Sequence, residues 1–237
     1  MSIKCLDDIK NAFYINLEHR TDRKTHVEKE LNNIGIKAAR FNAIQMKNGA
    51  IGCSMSHLKI LQDAYKNNLD HVLIVEDDIT FLDPQLFKNQ INKFFELHHD
   101  NWDVILLAGN NMPPYQRIDD TCIKVSRCQT TTGYLVNKHY INILASNIKM
   151  GLTHLINKPA EHVNYAIDKF WFILQGSGNW FLITPLTVIQ REDYSDIEKR
   201  VMNYQKLMQD LDKTELFKAI NDMRKKERFN LQNVLSK

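Results

Sequence analysis

Three consecutive carboxylates stand at the end of a short apolar run. Residues 71–78 read HVLIVEDD, so Glu76, Asp77 and Asp78 follow the aliphatic side chains without a break. The absence of polar alternation in residues 72–75 predicts a strand that is buried on both faces. Ligands of open α/β sheets bind in the crevice beyond the carboxyl ends of the strands. The triplet therefore lies where a ligand would bind.

Acids this close together repel one another unless a cation neutralises them. A hard divalent ion that also holds a diphosphate would do so, because such ions prefer oxygen ligands. The alternative is that the triplet solvates a loop or caps the following helix. Asp83 followed by Pro84 is the better helix start, since aspartate caps well and proline suits the first helical position. A metal or phosphate site is therefore the favoured interpretation.

A second polar segment follows the first predicted strand, residues 12–17 (AFYINL). Asn16, Arg20 and Arg23 would face the same crevice as the acids if this strand is central in the sheet. The planar guanidinium group suits phosphate, and an asparagine would bind a base or ribose edge. The alternative is that both arginines are surface charges of a first helical turn. Neither G-x-G-x-x-G nor G-x-x-x-x-G-K-[ST] is present, so the dinucleotide and P-loop signatures are lacking.

Residues 49–57 (GAIGCSMSH) form a third candidate segment. Two glycines before a helix capped by Ser54 would let the backbone approach a ligand closely, and a helix N-terminus favours anions. His57 would contact or orient that ligand, although a histidine in a first turn is more often structural. A hydrolase using Ser54 lacks a G-x-S-x-G elbow. Nothing in the sequence indicates a lowered thiol pKa at Cys53, as a nucleophile would need.

The elements that position these segments alternate between strands and helices. The main predicted strands are residues 12–17, 37–44, 71–75 and 102–109. Helices with one apolar face separate them, which indicates a mostly parallel sheet covered by helices. A helix is also expected at residues 161–174, and the apolar spacing is helical from residue 195 onwards. We therefore expect a catalytic domain at residues 1–194 and a helical extension at 195–237, packed on it or on a partner subunit of a homodimer.

The composition is that of an ordinary globular protein. The chain has 237 residues, of which 43% are hydrophobic and 25% charged, and its net charge of +3 is too small to indicate a nucleic-acid partner. Its four cysteines lack C-x-x-C spacing, which favours free thiols in a reducing compartment. The N-terminus lacks the apolar stretch of a signal peptide, and no apolar run is long enough to span a bilayer. We therefore expect a cytoplasmic protein whose membrane contact, if any, is peripheral.

Several of these segments occur in an order that is typical of one enzyme family. They are INLEHRTDR, GAIGCSMSHLKIL, HVLIVEDDITF, residues 130–134 (TTTGY), an isolated Asp168, and PLTVIQREDYSDI. Over roughly residues 11–200 the series resembles glycosyltransferase family 25, which contains lipooligosaccharide and collagen glycosyltransferases. The resemblance implies an α/β fold of the GT-A type and a nucleotide-sugar donor, commonly UDP-galactose. It also implies a divalent ion of the manganese type, with magnesium as the alternative.

The resemblance implies roles for individual residues. Glu76 and Asp78 would hold the metal ion, since the acidic triplet matches the family's short D-x-D-like signature. Asp168 would be the catalytic base, and its large apolar neighbours would desolvate it and raise its pKa. The alternative for Asp168 is a buried, hydrogen-bonded cap. The donor would be bound by a larger set, namely Asn16, Leu17, Arg20, Arg23, Ser54, His57, Glu76 and Asp77.

These inferences predict a metal-dependent hexosyltransferase that moves galactose or a related sugar, with inversion, to a hydroxyl of a glycan or glycoprotein. The acceptor would be lipid-linked, as in lipopolysaccharide biosynthesis, or protein-linked. Two alternatives stay open. A nucleotidyltransferase or sugar-nucleotide hydrolase would use the same acidic metal site. A non-catalytic sugar-binding module would need neither a metal ion nor Asp168.

Overall fold

The computed structural model describes residues 3–195 and 200–235. Its strands are β1 (Ala12–Asn16), β2 (Ala39–Asn42), β3 (His71–Glu76), β4 (Ile79–Phe81), β5 (Val104–Leu106), β6 (Asn110–Asn111), β7 (Gln116–Arg117), β8 (Cys122–Lys124), β9 (Cys128–Gln129), β10 (Gly133–Asn137), β11 (Trp180–Ile183), β12 (Val188–Gln190), β13 (Asp193–Ser195) and β14 (Arg200–Met202). Its α-helices are α1 (Thr21–Ile34), α2 (Gly49–Lys66), α3 (Pro84–His98), α4 (Ile141–Asn157), α5 (His162–Tyr165), α6 (Ile167–Phe170), α7 (Phe172–Gln175), α8 (Gln205–Gln209) and α9 (Thr214–Leu235). Short 3-10 helices lie at Leu6–Asp8, Lys138–Tyr140 and Pro159–Glu161.

The central sheet has eight strands in the order β2-β1-β3-β10-β5-β11-β8-β7. Strands β8 and β10 are antiparallel to the other six strands, which all run in the same direction. The predicted α/β class, with a mostly parallel sheet flanked by helices, is therefore confirmed. Strands β1 and β3 are parallel neighbours, with Ile15 opposite Glu76. Their carboxyl ends, and the polar residues that follow them, consequently meet at one edge of the sheet.

Strand β3 lies between two hydrophobic cores. Leu73 and Val75 pack in the core that α1 and α3 cover, whereas Val72 and Ile74 pack in the core that α2 and α4 cover. Successive side chains of a strand point to opposite faces, so all of them must be apolar when helices cover both faces. All four side chains are at most 1% exposed. The prediction of a strand buried on both faces is confirmed.

The helix that the sequence predicts to be capped by Ser54 begins earlier, at Gly49. Its N-cap is Asn48, whose side-chain oxygen accepts hydrogen bonds from the backbone N–H groups of Ala50 at 3.0 Å and Ile51 at 3.4 Å. Asparagine is among the best N-cap residues because its side chain satisfies otherwise unpaired amides of the first turn. The prediction of Ser54 as the cap is therefore wrong, and this residue lies within the helix.

Two other segments differ from the predicted elements. Residues 161–174 form short helices rather than one long helix, because extended backbone at Ala166 (ψ 148°) interrupts the turns between α5 and α6. Strands β13 and β14 pair antiparallel at the start of the segment where helix was expected from residue 195, and residues 196–199 of that prediction lie outside the described residues. Helical structure follows in α8 and α9, as the apolar spacing predicts.

Helix α8 packs on the core of the sheet domain. Met208 is 1% exposed and belongs to the core that α1 and α3 cover. The backbone N–H of Gln190 also donates to the Met208 sulfur atom at 3.3 Å. Residues beyond the predicted boundary at 194 thus contribute to the core. The division into a catalytic domain and an extension, and the packing of the extension on a second subunit, stay predictions.

Replacing Met208 with alanine is expected to lower the free energy of unfolding by about 2–4 kcal/mol, because the change opens a cavity in a closed core. Urea unfolding monitored by circular dichroism measures this loss. Met223→Ala is the matched control, since Met223 lies on α9 and is 58% exposed. Equal effects of the two substitutions would contradict the packing of α8 on the core.

The described part of the chain contains no helix that is both long and apolar enough to cross a membrane. The four cysteines, Cys5, Cys53, Cys122 and Cys128, are free thiols. Burial raises the pKa of the Cys122 thiol to about 12 and raises that of Cys53 as well, so these two thiols are protonated near neutral pH.

Candidate active site

A cleft opens at the edge of the sheet where β1 and β3 end. Its walls come from these strand ends, the first turns of α1 and α2, and the segment from β12 to β13. The predicted site residues that line it are Asn16, Leu17, Arg20, Arg23, His57, Glu76, Asp77 and Asp78. The carboxyl edge of the sheet therefore brings together most of the residues that the sequence singled out.

Asp77 and Asp78 are held from both walls of the cleft. Asp77 accepts hydrogen bonds from Asn16 Nδ2 at 2.7 Å and Arg23 Nη1 at 2.9 Å. Asp78 Oδ2 accepts from Gln190 Nε2 at 2.9 Å and lies 3.6 Å from Arg23 Nη1. Both carboxylates are buried, with 7% and 4% of their surface exposed. Their side chains are consequently fixed rather than free to rotate.

Burial raises the pKa of Asp78 to about 7, and the negative charge of Glu76 adds to this effect. The guanidinium group of Arg23 opposes it. Asp78 Oδ1 is buried and accepts no hydrogen bond from the described residues. A divalent cation would satisfy this oxygen and relieve the repulsion among the acids, since such ions prefer carboxylate ligands. The unpartnered oxygen of Asp78 is therefore suited to the metal ion that the resemblance implies.

Three arginines surround one carboxylate oxygen in the wall opposite β3. Asp193 Oδ2 accepts from Arg20 Nη2 at 3.1 Å, Arg23 Nε at 3.0 Å and Arg191 Nη2 at 2.7 Å. Such a cluster of planar guanidinium groups suits an anionic ligand with several oxygens, such as a diphosphate. Gln190, Arg191 and Asp193 were not among the predicted site residues. The segment PLTVIQREDYSDI, which contains them, was the signal that could have found them.

His57 is buried in the wall of the cleft, beside Glu76. Its side chain is fully buried, with Nδ1 2.8 Å from Tyr134 Oη and Nε2 3.2 Å from Glu76 Oε1. Thr131 Oγ1 donates to the same Glu76 oxygen at 2.5 Å. Burial would raise the pKa of Glu76, but the hydrogen bond and charge of His57 and the hydrogen bond from Thr131 lower it below its usual value. Glu76 is therefore held in its anionic form at the floor of the cleft.

Asp168 is not among the described residues that line the cleft. It lies in the first turn of α6, where its Oδ2 accepts from the backbone N–H of Thr130 at 3.2 Å. Burial raises its pKa, and the charge of Glu76 adds to this while Lys169 opposes it. Thr130 directly precedes Thr131, which contacts Glu76. Asp168 is thus linked to the acidic site through residues 130 and 131, and it is close enough to Glu76 to feel its charge.

Ser54 does not contribute to the cleft. It is 1% exposed, and its Oγ donates to the backbone carbonyl of Ala50 at 2.9 Å within α2. The cleft is instead lined on this side by Cys53, Ser56 and His57. The prediction that Ser54 binds the donor therefore does not agree with its position, because the helix begins at Gly49 and turns this residue towards its own backbone.

A family model described as glycosyltransferase family 25 (LPS biosynthesis protein) matches residues 45–171, which is more than half of the chain. The chain belongs to glycosyltransferase family 25. The matched range contains the acidic triplet, His57 and Asp168. The prediction from the sequence motifs is therefore confirmed at the level of the family.

Curated relatives agree with this family assignment. A glycosyltransferase 25 family member of Drosophila melanogaster is 30% identical over 162 residues, which cover 54% of this chain and 26% of the relative. One of Drosophila pseudoobscura pseudoobscura is 29% identical over 195 residues, which cover 68% of this chain and 29% of the relative. The matched segments thus span only between a quarter and a third of the length of these relatives.

Solved structures with a similar arrangement are more distant. A glycosyltransferase involved in the glycosylation of the major capsid of PBCV-1 has a TM-score of 0.48 and 14% identity, covering 84% of this chain and 88% of that chain. A Drosophila β1,4-galactosyltransferase 7 in complex with manganese, UDP-Gal and xylobiose has a TM-score of 0.39 and 12% identity, covering 85% of this chain and 79% of that chain.

In this family 25 member, the guanidinium group of Arg23 contacts the carboxylates of Asp77 and Asp78 and neutralises their charge. We therefore expect Arg23→Gln to lower the free energy of unfolding by about 3 kcal/mol at pH 7.5, because it leaves buried negative charge unpaired. The loss should be smaller at pH 5.5. Asp78, with its pKa of about 7, is then protonated and leaves less uncompensated charge. Urea unfolding at the two pH values measures the difference. Arg117→Gln, at an exposed arginine, is the control, and equal losses at both pH values would contradict the explanation.

Proposed function

We propose that this chain is a glycosyltransferase that moves a hexose, galactose or a related sugar, from a UDP-sugar to a hydroxyl group of a glycan, with inversion. The acceptor is lipid-linked or protein-linked. The observation that carries the proposal is the acidic triplet, two of whose carboxylates are buried, beside a cluster of arginines in one cleft at the carboxyl edge of the sheet. Membership of family 25 supports the same activity.

A divalent ion, manganese or magnesium, would be held by Glu76 and Asp78, where it would neutralise the donor diphosphate and stabilise the departing UDP. Asp78 offers its unpartnered Oδ1 for this purpose. Arg20 and Arg23 line the same cleft and would share the charge of the diphosphate. Asn16 keeps Asp77 in place through a 2.7 Å hydrogen bond at the end of β1, on the side where the nucleoside would bind.

Asp168 is the proposed base. It accepts the proton of the acceptor hydroxyl as that oxygen forms a bond to the anomeric carbon. The bond from this carbon to the diphosphate oxygen breaks at the same time, and its electron pair leaves with UDP. The raised pKa of Asp168 suits a proton acceptor that works near neutral pH. An inverting transfer requires this base on the side of the anomeric carbon opposite the leaving diphosphate.

The proposal is tested by incubating the purified protein with manganese and a panel of UDP-, GDP- and CMP-sugars. We expect one UDP-hexose to raise the melting temperature and to be hydrolysed slowly to free UDP, and chelation by EDTA to abolish both effects. Release of pyrophosphate from a nucleoside triphosphate would favour a nucleotidyltransferase. Binding of free sugars without metal ion or turnover would favour a sugar-binding module.

A further inference from the structure

A second group of potential metal ligands lies outside the cleft. His98 ends α3, Asp119 lies in the turn before β8, and Cys122 begins β8. Strand β8 is separated from β3 by three strands of the sheet, and none of these three residues is among those that line the cleft. The proposed transfer reaction therefore leaves this group without a role.

The donor atoms of this group are close to one another. His98 Nε2 is 2.8 Å from Asp119 Oδ2, and Cys122 Sγ is 3.7 Å from His98 Nε2 and 4.0 Å from Asp119 Oδ1. In a tetrahedral zinc site, bond lengths of about 2.0–2.3 Å place the ligand atoms roughly 3.3–3.7 Å apart. Small side-chain rotations would therefore bring all three atoms into coordination distance of one ion.

Neighbouring side chains already orient the three ligands. Asp119 Oδ1 accepts from both the backbone N–H and the hydroxyl of Thr121, at 2.7 and 2.6 Å. The His98 ring packs against Phe94 and Phe181, with ring centroids 4.5 and 5.6 Å away. Hydrogen bonds and packing of this kind around metal ligands reduce the cost of ordering them when the ion binds.

We propose that His98, Asp119 and Cys122 form a binding site for Zn²⁺, with a solvent molecule as the fourth ligand. On binding, the thiol proton of Cys122 leaves to solvent, and the imidazole carries its remaining proton on Nδ1 so that Nε2 can coordinate. A thiolate together with an imidazole selects zinc over manganese and magnesium, which prefer oxygen ligands.

The surroundings of the site support this assignment. The side chain of Cys122 is buried, whereas those of His98 and Asp119 are 13% and 25% exposed. One side of the group is thus closed by protein and the other is open for the entry of an ion and for a solvent ligand. An ion here would link the end of α3 to the edge of β8. It would therefore stabilise the folded chain.

The cleft contains a group with the same kinds of donor, Cys53, His57 and Glu76. A test must therefore distinguish metal binding at His98, Asp119 and Cys122 from metal binding at this group in the cleft. Co²⁺ is a suitable probe because thiolate coordination gives a sulfur-to-metal charge-transfer band in the near ultraviolet. The variants are Cys122→Ser, Cys53→Ser and Cys128→Ser. The last is the control, since Cys128 is a buried free cysteine outside both groups.

We expect the Co²⁺ band in the parent protein, its retention in the Cys53 and Cys128 variants, and its loss in Cys122→Ser. Zn²⁺ should displace Co²⁺ and should raise the melting temperature of Cys122→Ser less than that of the other proteins. Because a serine at this fully buried position can disturb folding, His98→Gln is measured as well and should weaken zinc affinity at least about a hundredfold by isothermal titration calorimetry. Absence of the band in the parent, its loss with Cys53→Ser alone, or unchanged affinity in His98→Gln would overturn the proposal.

Discussion

Asp78→Asn is expected to weaken manganese-dependent binding of UDP by at least about a hundredfold, because the substitution removes an anionic ligand of the proposed metal ion. Asparagine keeps the size of the side chain and an oxygen that can accept the hydrogen bond from Gln190. No cavity is created, so the fold should be retained. Isothermal titration calorimetry with UDP, in the presence of manganese or of EDTA, measures the effect.

The same variant is expected to be more stable than the parent when no metal ion is present. Burial raises the pKa of Asp78 from 3.8 to about 7, so the folded state binds this proton more tightly than the unfolded state. The parent therefore loses stability as the pH rises from about 4 through 7, whereas an uncharged asparagine does not. We expect Asp78→Asn to be stabilised by about 1–3 kcal/mol at pH 8 and by much less at pH 5.

Asp63→Asn is the control for both measurements, since Asp63 lies on the exposed face of α2 in a pair with Lys59. It should change neither the affinity for UDP nor the pH dependence of stability. If Asp78→Asn bound UDP with manganese as tightly as the parent does, the assignment of Asp78 as a metal ligand would be wrong. If Asp78→Asn were less stable than the parent at pH 8, or gained no more stability over the parent at pH 8 than at pH 5, the explanation from burial would be wrong.

Asp168→Asn is expected to retain donor binding but to lose sugar transfer by about a hundredfold or more, because an amide cannot accept the proton of the acceptor hydroxyl. The amide oxygen can still accept the hydrogen bond from the backbone N–H of Thr130, so the local structure should be unchanged. The measurements are the affinity for the UDP-sugar and the rate of transfer to an acceptor.

The pH dependence of transfer provides a second readout. Burial raises the pKa of Asp168 above its usual value, and only the ionised carboxylate can accept a proton. The transfer rate of the parent should therefore fall as the pH decreases through this raised pKa. The residual transfer rate of Asp168→Asn should not show this fall at low pH. Glu161→Gln, at a less buried acid before α5, is the control and should keep the parental profile. Transfer at the parental rate, or a product that keeps the anomeric configuration of the donor, would exclude Asp168 as the base of an inverting reaction.

Interactions that are local in the chain could be predicted without the structure. Asp83 caps α3 by accepting from the backbone N–H of Leu86 at 2.9 Å, and Gly35 ends α1 with φ at 82°. The apolar run of β3 predicted a strand covered on both faces. Such features depend on side-chain spacing over a few residues, so the sequence by itself determined them. It also determined the family, because several short motifs follow one another in a typical order.

The direction of individual side chains was decided by the tertiary structure. Asp193 reaches Arg20 and Arg23 across more than 160 residues of sequence. His57 is enclosed because β10 inserts antiparallel beside β3 and brings Tyr134 to its ring. The sheet order that creates these contacts arises from long-range strand pairing, which local spacing does not encode.

The burial of Asp78 and the position of Asp168 have the same origin. The sequence placed Asp78 at an exposed strand end, but the return of the chain through β12 brings Gln190 over it and encloses it. The sequence also predicted that Asp168 faces the cleft, whereas the structure places it in the short helix α6, with its carboxylate on the backbone of Thr130. Thus the types of the reacting groups were determined by the sequence. Their protonation and relative placement were decided by the segments, distant in the chain, that pack over them.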